Sequence, residues 1–268
     1  MENRRGDVAR DDTSSSSPAS SQPRRSSGGA TDVLPQGDDK RAMVRSMFDR
    51  IAPRYDLVNR IMTFGLDVGW RRHTIRLLGI APGSTVVDLA CGTGDLLAML
   101  EEGEWRGVGI DLSAGMLAAA QARSRVGRTG RLVQGDASKL PIADAAADGL
   151  VSGFALRNFD DLGLMFAEVA RIVRPHGRVA FLDVDDPASR VLRSGHHVYF
   201  THVVPRLGGL LSDGAAYRYL PRSVAYLPGR PQLLALLETA GFTDVRHHSL
   251  SGGITQVLTG TRVDGTPR

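Results

Sequence analysis

Thr85-Val-Val-Asp-Leu-Ala-Cys-Gly-Thr-Gly-Asp-Leu-Leu97 is the stretch that decides the fold. Its opening, Thr85 to Ala90, is β-branched and apolar and reads as a buried strand. Cys91 to Gly94 is a glycine turn, and the apolar run after Asp95 starts a helix. Gly92 and Gly94 lack a Cβ, so the backbone can turn sharply there and a ligand can approach it closely. Strand, glycine turn and helix in that order form the first unit of a doubly wound α/β sheet.

The side chains around the turn narrow the ligand. A dinucleotide fingerprint has Gly or Ala at the third position of G-x-G-x-x-G, where this chain has Leu97. It also sets an anionic pyrophosphate on the helix N-terminus, and Asp95 would repel one. Asp88 and Asp95 suit a ligand with a positive end. S-adenosylmethionine carries an ammonium and a sulfonium and no phosphate. Gly109-Ile-Asp111 ends a second strand nineteen residues beyond Gly92, where an acidic residue can grip ribose hydroxyls. Gly135-Asp136-Ala137 ends a third strand and is placed for the adenine edge. The loop alone is a weak signal. The loop with Asp111 and Asp136 on successive strands is a strong one.

Working outward, strands at Gly107–Asp111, Arg131–Asp136, Asp148–Phe154 and Arg178–Val184 alternate with helices at Ala114–Ser124, capped by Ser113, and at Leu162–Val173. Pro175-His-Gly177 reads as the turn before the fifth strand. Upstream, Met43, Met47, Phe48 and Ile51 recur at helical spacing up to Pro53, and a second helix covers Arg71–Leu78. The stretch from Tyr55 to Trp70 reads as helices packed on the sheet, with a lid over the site as the functional alternative. Residues 185–230 break the alternation and read as a cap over the strand ends. Leu233–Ala240 is a last helix. Val245–Leu250 and Ile254–Thr261 are two closing strands, the second antiparallel.

Composition sets the class. The chain has 268 residues, 42% of them hydrophobic, enough for one domain plus a tail. Residues 1–38 are rich in Ser, Pro and Arg and lack core-forming side chains over most of their length, so they read as disordered. Residues 263–268 are a short C-terminal tail. Cys91 is the single cysteine, which excludes an intrachain disulfide framework and fits a reducing cytoplasm. A net charge of +4 is too mild for a nucleic-acid-binding footprint. His196, His197 and His202 share no helical face, and no metal is expected. Cys91 reads as small-residue packing in the loop rather than a reactive thiol.

The chain resembles the ubiquinone/menaquinone biosynthesis C-methyltransferases, a family of class I S-adenosylmethionine-dependent methyltransferases. The resemblance runs from about Met43 to Arg262. It is carried by Met47-Phe-Asp-Arg-Ile-Ala-Pro-Arg-Tyr-Asp-Leu-Val-Asn59, Trp70-Arg71, Asp88-Leu-Ala-Cys-Gly-Thr-Gly-Asp95 and Ala155-Leu-Arg-Asn158. Tyr217-Arg-Tyr-Leu-Pro-Arg-Ser223, Ala240-Gly-Phe242 and Gly252-Gly-Ile254 continue it. The chain departs from the family at Arg174-Pro-His-Gly177 (Lys-Pro-Gly-Gly), at Leu182-Asp-Val-Asp185 (Leu-Glu-Phe-Ser) and at Leu258 (His). The resemblance implies a Rossmann-like α/β fold over 39–262, with a seven-stranded, mostly parallel sheet, helices on both faces, N-terminal helices and the inserted cap. It implies that Thr93, Asp111, Asp136, Ala137 and Gly153 contact S-adenosylmethionine and that Asp88, Gly92 and Gly94 shape its loop. The implied acceptor is a prenylated aromatic quinol methylated on ring carbon, demethylmenaquinol foremost and a ubiquinone precursor next.

Ring carbon attacks a methyl group well only when a neighbouring hydroxyl is ionised. Arg157 and Asn158, just past the fourth strand, are the candidates to stabilise that phenolate, with Asp136 accepting the proton through water. A bilayer-resident acceptor implies peripheral membrane contact, expected through Val198–Leu211, at the inner face of the membrane. A homodimer is left open. The rival readings are a methyltransferase for another small aromatic or lipid, a non-catalytic cofactor-binding paralogue, and a nicotinamide oxidoreductase, which Leu97 and Asp95 disfavour.

Overall fold

Leu97, the residue that breaks the dinucleotide fingerprint, shows how the first unit packs. A Cβ on Gly107 would overlap the Leu97 side chain, and one on Gly109 would sit 2.9 Å from Cys91 Sγ and 3.0 Å from Leu97. The bulk that the helix gains at Leu97 is matched by glycines on the neighbouring strand, so helix and sheet still close together.

The computed structural model describes residues 36–123, 131–185 and 222–264, with single positions 187, 189, 194, 195, 199 and 219 between them. The expectations for residues 1–35, for most of the cap, including Val198–Leu211 (apart from Tyr199), His196, His197, His202 and Tyr217, and for 265–268 lie outside the described residues.

Among the described residues a seven-stranded sheet has the order β3-β2-β1-β4-β5-β7-β6. Its strands are β1 (Thr85–Leu89), β2 (Arg106–Asp111), β3 (Arg131–Gln134), β4 (Ala147–Gly153), β5 (Val173–Val184), β6 (Phe242–Leu250) and β7 (Thr255–Arg262). The pairs from β3 to β5 are parallel, and β7 runs antiparallel to both β5 and β6. The helices are α1 (Gly37–Ile51), α2 (Tyr55–Met62), α3 (Leu66–Leu78), α4 (Asp95–Glu102), α5 (Ala114–Ala122), α6 (Leu162–Ile172) and α7 (Arg230–Thr239). Ser113 caps α5 by accepting the Met116 N–H, as its position implied.

The sheet is buried on both faces, which is why its central strands are nearly continuous in apolar residues. On one face Phe166 of α6 and Leu233 and Leu237 of α7 pack against Leu89, Leu150 and Phe181. On the other, Trp70, Ile75 and Leu78 of α3 join Leu96 and Leu100 of α4 over Val86, Val151 and Leu182. A third cluster ties α1 and α2 to α5 through Val44, Met47, Ile51, Val58 and Met116.

Three boundaries move furthest. Helix α1 begins at Gly37, inside the segment expected to be tail, because the Gly37 N–H donates to Asp160 and Lys40 donates to the Phe159 carbonyl. Helix α3 begins at Leu66 rather than Arg71, with Gly65 as its left-handed entry. Pro175-His-Gly177 does not separate helix from strand. It is an excursion inside β5: Val173 already pairs with Ala147, and regular pairing resumes at Arg178 with Gly149.

Candidate active site

Strand order reverses between β1 and β4, and the crevice beyond the carboxyl ends of such strands is where open α/β sheets bind ligands. Both strands leave the sheet through left-handed residues that are not glycine, Ala90 with φ 54° and Phe154 with φ 62°. Such backbone costs about 1–3 kcal/mol per residue and collects at functional sites. A cavity of about 240 Å³ opens here, lined by Gly92 of the glycine turn, Asp111, Asp136, Ala137, Gly153 and Asn158. The structure therefore brings together six of the residues expected from sequence. Helix α1 covers them with Arg41 and Phe48.

Each carboxylate is held in its own way. Asp111 accepts the Gly92 N–H and the Ser113 N–H, both at 2.8 Å, so it fastens the glycine turn to the start of α5. Burial raises its pKa, and those two amides oppose the rise. Asp136 is also partly buried, which raises its pKa, but the Ser138 amide and hydroxyl and the Arg41 guanidinium outweigh that and leave it lowered. A carboxylate so stabilised is a poor proton acceptor. Asp88 differs from both. It lies in β1 beneath the turn, and neither carboxylate oxygen has a hydrogen-bond partner. Burial pushes its pKa up to about 8 and Arg71 opposes the rise, as does the Leu97 amide, which lies close but short of hydrogen-bond geometry, while Asp111 and Asp95 add to it.

Asp95 and Thr93 do not present themselves as the sequence suggested. Asp95 is paired with Arg60, Arg71 and Arg123 at 3.5, 3.8 and 3.1 Å. Its charge is compensated rather than offered to a ligand. Thr93 is buried, donates its hydroxyl to Asp56 at 2.5 Å and accepts from Arg123. Asp88, Thr93 and Gly153 line a small space of about 30 Å³ between the turn and α3. Gly94, with φ 83°, is the N-cap of α4 and shapes the turn. Cys91 is buried, burial drives its thiol pKa up, and it packs against β2.

A second cavity of about 500 Å³ lies beside the first. Its wall is mainly apolar, with Met62, Phe64, Leu66, Trp70 and Val184 around Arg157. Tyr55 and Phe154 line both cavities. Phe154 is held between Trp70, edge-on at 6.2 Å, and the Arg71 guanidinium, 5.3 Å from its ring. Arg157 is buried in an ion pair with Asp183 of β5 and donates through Nε to Ser223. Asp183 stands where the family has Glu, so that departure keeps the carboxylate. Asn158 does not cap α6, a role taken by Asp161, and accepts the Tyr219 hydroxyl at 3.4 Å. Leu258 lies in the sheet core opposite Phe181, away from this cavity.

The structure does not bring Arg157 and Asp136 to one place. Arg157 lines the apolar cavity and Asp136 lines the other. Tyr55, Phe154 and Asp183 are the residues that sequence reasoning left without a role. The Tyr55-Asp-x-x-Asn59 segment was the signal for the first. The Leu182-Asp-Val-Asp185 strand end was the signal for Asp183, and no local pattern marks Phe154.

Comparison with known proteins bears on this arrangement. The sequence model of the ubiE/COQ5 methyltransferase family matches residues 36–262. A ubiquinone/menaquinone biosynthesis C-methyltransferase UbiE from Syntrophotalea carbinolica is 41% identical over 225 residues, covering 81% of this chain and 93% of that protein. A demethylmenaquinone methyltransferase from Desulfitobacterium hafniense is 38% identical over 233 residues, covering 84% of this chain and 92% of that one. Among solved structures, a SAM dependent methyltransferase from Aquifex aeolicus has a TM-score of 0.55 at 16% identity, over 74% of this chain and 92% of that one. At that identity the likeness concerns the fold.

Proposed function

The chain belongs to the ubiE/COQ5 methyltransferase family, and from that premise we propose that it methylates a ring carbon of a prenylated aromatic quinol, demethylmenaquinol foremost, with S-adenosylmethionine as donor. The observation that carries this reading is the pair of cavities. One has carboxylates at the strand ends, the other is large and apolar, and Tyr55 and Phe154 border both.

The residues of the first cavity, with Asp88 from the small space beneath the turn, fit the donor. The two unpartnered oxygens of Asp88 suit its positive end. Asp111 spends one lone pair of each oxygen on the two backbone amides and keeps others for ribose hydroxyls. Asp136 and Ala137 border the adenine end, and Gly92, where a Cβ would meet nothing within 4 Å, leaves room for the ligand, while Gly153 lets Leu96 pack against the strand end. When bound, S-adenosylmethionine supplies an electrophilic methyl group on a sulfonium. The protein's part is mainly to hold the partners at near-attack distance, worth roughly 7–11 kcal/mol in favourable cases. Trp70, Phe154 and Leu66 keep water from the ring. Arg157 stabilises the ring oxyanion that makes the adjacent carbon nucleophilic, and Asp183 fixes the guanidinium. Asp136 serves the donor side, and the hydroxyl proton leaves to water. The new carbon–carbon bond forms as the donor's methyl–sulfur bond breaks with its electron pair to sulfur, and the methylated ring carbon then loses its own proton while the oxyanion regains one. The acceptor lives in the bilayer. No helix among the described residues is long and apolar enough to cross one. Because its acceptor resides in the bilayer, the enzyme works at the inner membrane surface.

The direct test is methyl transfer to short-chain demethylmenaquinol, followed by mass and by loss of the ring proton, beside a ubiquinone precursor. Methylation of demethylmenaquinol is expected to be the faster. Transfer to neither quinol would sink the reading.

Asp88 adds a pH signature. A group whose folded pKa lies above its unfolded value of 3.8 holds its proton better in the native state. Its contribution to stability is full below that value and is lost as pH rises toward about 8. A cationic ligand favours the ionised form, so binding at pH 7 should expel close to one proton. S-adenosylmethionine affinity should climb by up to about tenfold per pH unit below pH 8 and then level off. Calorimetry in two buffers of different ionisation enthalpy measures this, and Asp88→Asn should abolish it. Proton release that survives in Asp88→Asn would assign it to another group.

A further inference from the structure

We propose that α2, the turn after it and the first residue of α3 dock on an anionic lipid bilayer and open the apolar cavity toward it. This rests on the quinol reading above. Leu57, Ile61, Phe64 and Leu66 are 58, 39, 78 and 51% exposed, and all lie within ten residues. Leu57 and Ile61 sit one turn apart on α2, while Val58 and Met62 of the same helix are buried. An amphipathic helix that only covered the core would show polar groups on its outer face. At Phe64 the backbone is left-handed, with φ 52°, and the ring stands out beside Tyr199.

Two observations name the occupant. The first is continuity. Phe64 and Leu66 belong both to the exposed patch and to the wall of the apolar cavity, so the patch is the cavity's rim. A long apolar chain leaving that cavity crosses this rim. The second is charge. Residues 50–76 hold six arginines and two aspartates. Arg71 is buried and, with Arg60, is paired with Asp67 and Asp95, while Arg50, Arg54, Arg72 and Arg76 are exposed. Of the aspartates, Asp67 is buried between Arg60 and Arg71, and Asp56 is paired with Arg123. Apolar side chains set among basic ones are the pattern of a surface that settles into the headgroup layer of anionic membranes. The sequence alone had placed the contact at Val198–Leu211, of which only Tyr199 is among the described residues, its ring packed on Phe64.

The test uses the full chain and vesicles of phosphatidylglycerol with phosphatidylcholine. The parent should float with them and float less with phosphatidylcholine alone or at high salt. Leu57→Glu with Ile61→Glu, at positions outside both cavities, should reduce flotation at least tenfold. The same variant should keep turnover of a short-chain, water-soluble quinol and lose turnover of a long-chain quinol in vesicles. A double variant that floats like the parent overturns the proposal, as does a parent that never floats. A parent dimer that the variant splits while flotation persists also overturns it and gives the patch to a second copy of the chain. Failure of the parent to methylate the soluble quinol is a separate result. It removes the quinol reading and leaves the flotation data to stand alone.

Discussion

Asp111→Ala is expected to weaken S-adenosylmethionine binding by about 10²–10⁴-fold. The figure follows from losing two charge-assisted hydrogen bonds to ribose, each worth roughly 1.5–3 kcal/mol, at 1.4 kcal/mol per tenfold. The structure adds a second cost. Asp111 also accepts from the Gly92 and Ser113 amides, so the substitution leaves both donors without their acceptor. A lost partner of this kind costs about 1–3 kcal/mol. The melting temperature should therefore fall, and added S-adenosylmethionine should no longer raise it. Asp111→Asn keeps an oxygen for one amide and should recover stability before it recovers affinity. Calorimetric titration of both variants separates the two effects. Parent-like affinity in a folded Asp111→Ala protein would place the cofactor elsewhere.

What sequence made legible here was local. The turn at Gly92 and Gly94, the Ser113 cap and the alternation of strands and helices depend on residues a few positions apart. Strand order then follows from the short, right-handed connections of such sheets. Pairings between distant residues carry no such mark. Arg41 meets Asp136 across 95 positions of chain. Asp95 looked like a carboxylate facing a ligand because its neighbours in sequence include no arginine. Its three partners come from α2, α3 and the end of α5. The apolar cavity was hidden for a related reason. Tyr55, Trp70 and Phe154 read as ordinary packing until α2 and α3 are laid against the end of β4. Asp136 shows the same limit. Its place on the third strand was readable, but not its contacts with Ser138 and Arg41, which favour the ionised carboxylate and weaken it as a base.

The buried pair of Arg157 and Asp183 changes how the catalytic proposal must be tested. Arg157→Ala alone should lower turnover by about 10²–10³, the usual cost of losing one oxyanion donor. It also strands Asp183, which is fully buried, and breaking a buried pair from one side costs about 3–5 kcal/mol. Lost activity in that variant could come from a damaged fold. The informative protein is Arg157→Gln with Asp183→Asn. It removes both charges and keeps polar groups that can bond each other and the nearby amides. Its stability should return most of the way to that of the parent, because no uncompensated charge remains. Its S-adenosylmethionine affinity should be close to normal, because Arg157 lines the apolar cavity and not the cleft at the strand ends. Its turnover should stay down by the same 10²–10³, because a neutral amide cannot stabilise the ring oxyanion as a guanidinium does. Turnover with a short-chain quinol, melting temperature and cofactor affinity, measured together on the single and double variants, decide the matter. If activity returns with stability in the double variant, Arg157 holds the cavity wall in place and takes no part in the chemistry.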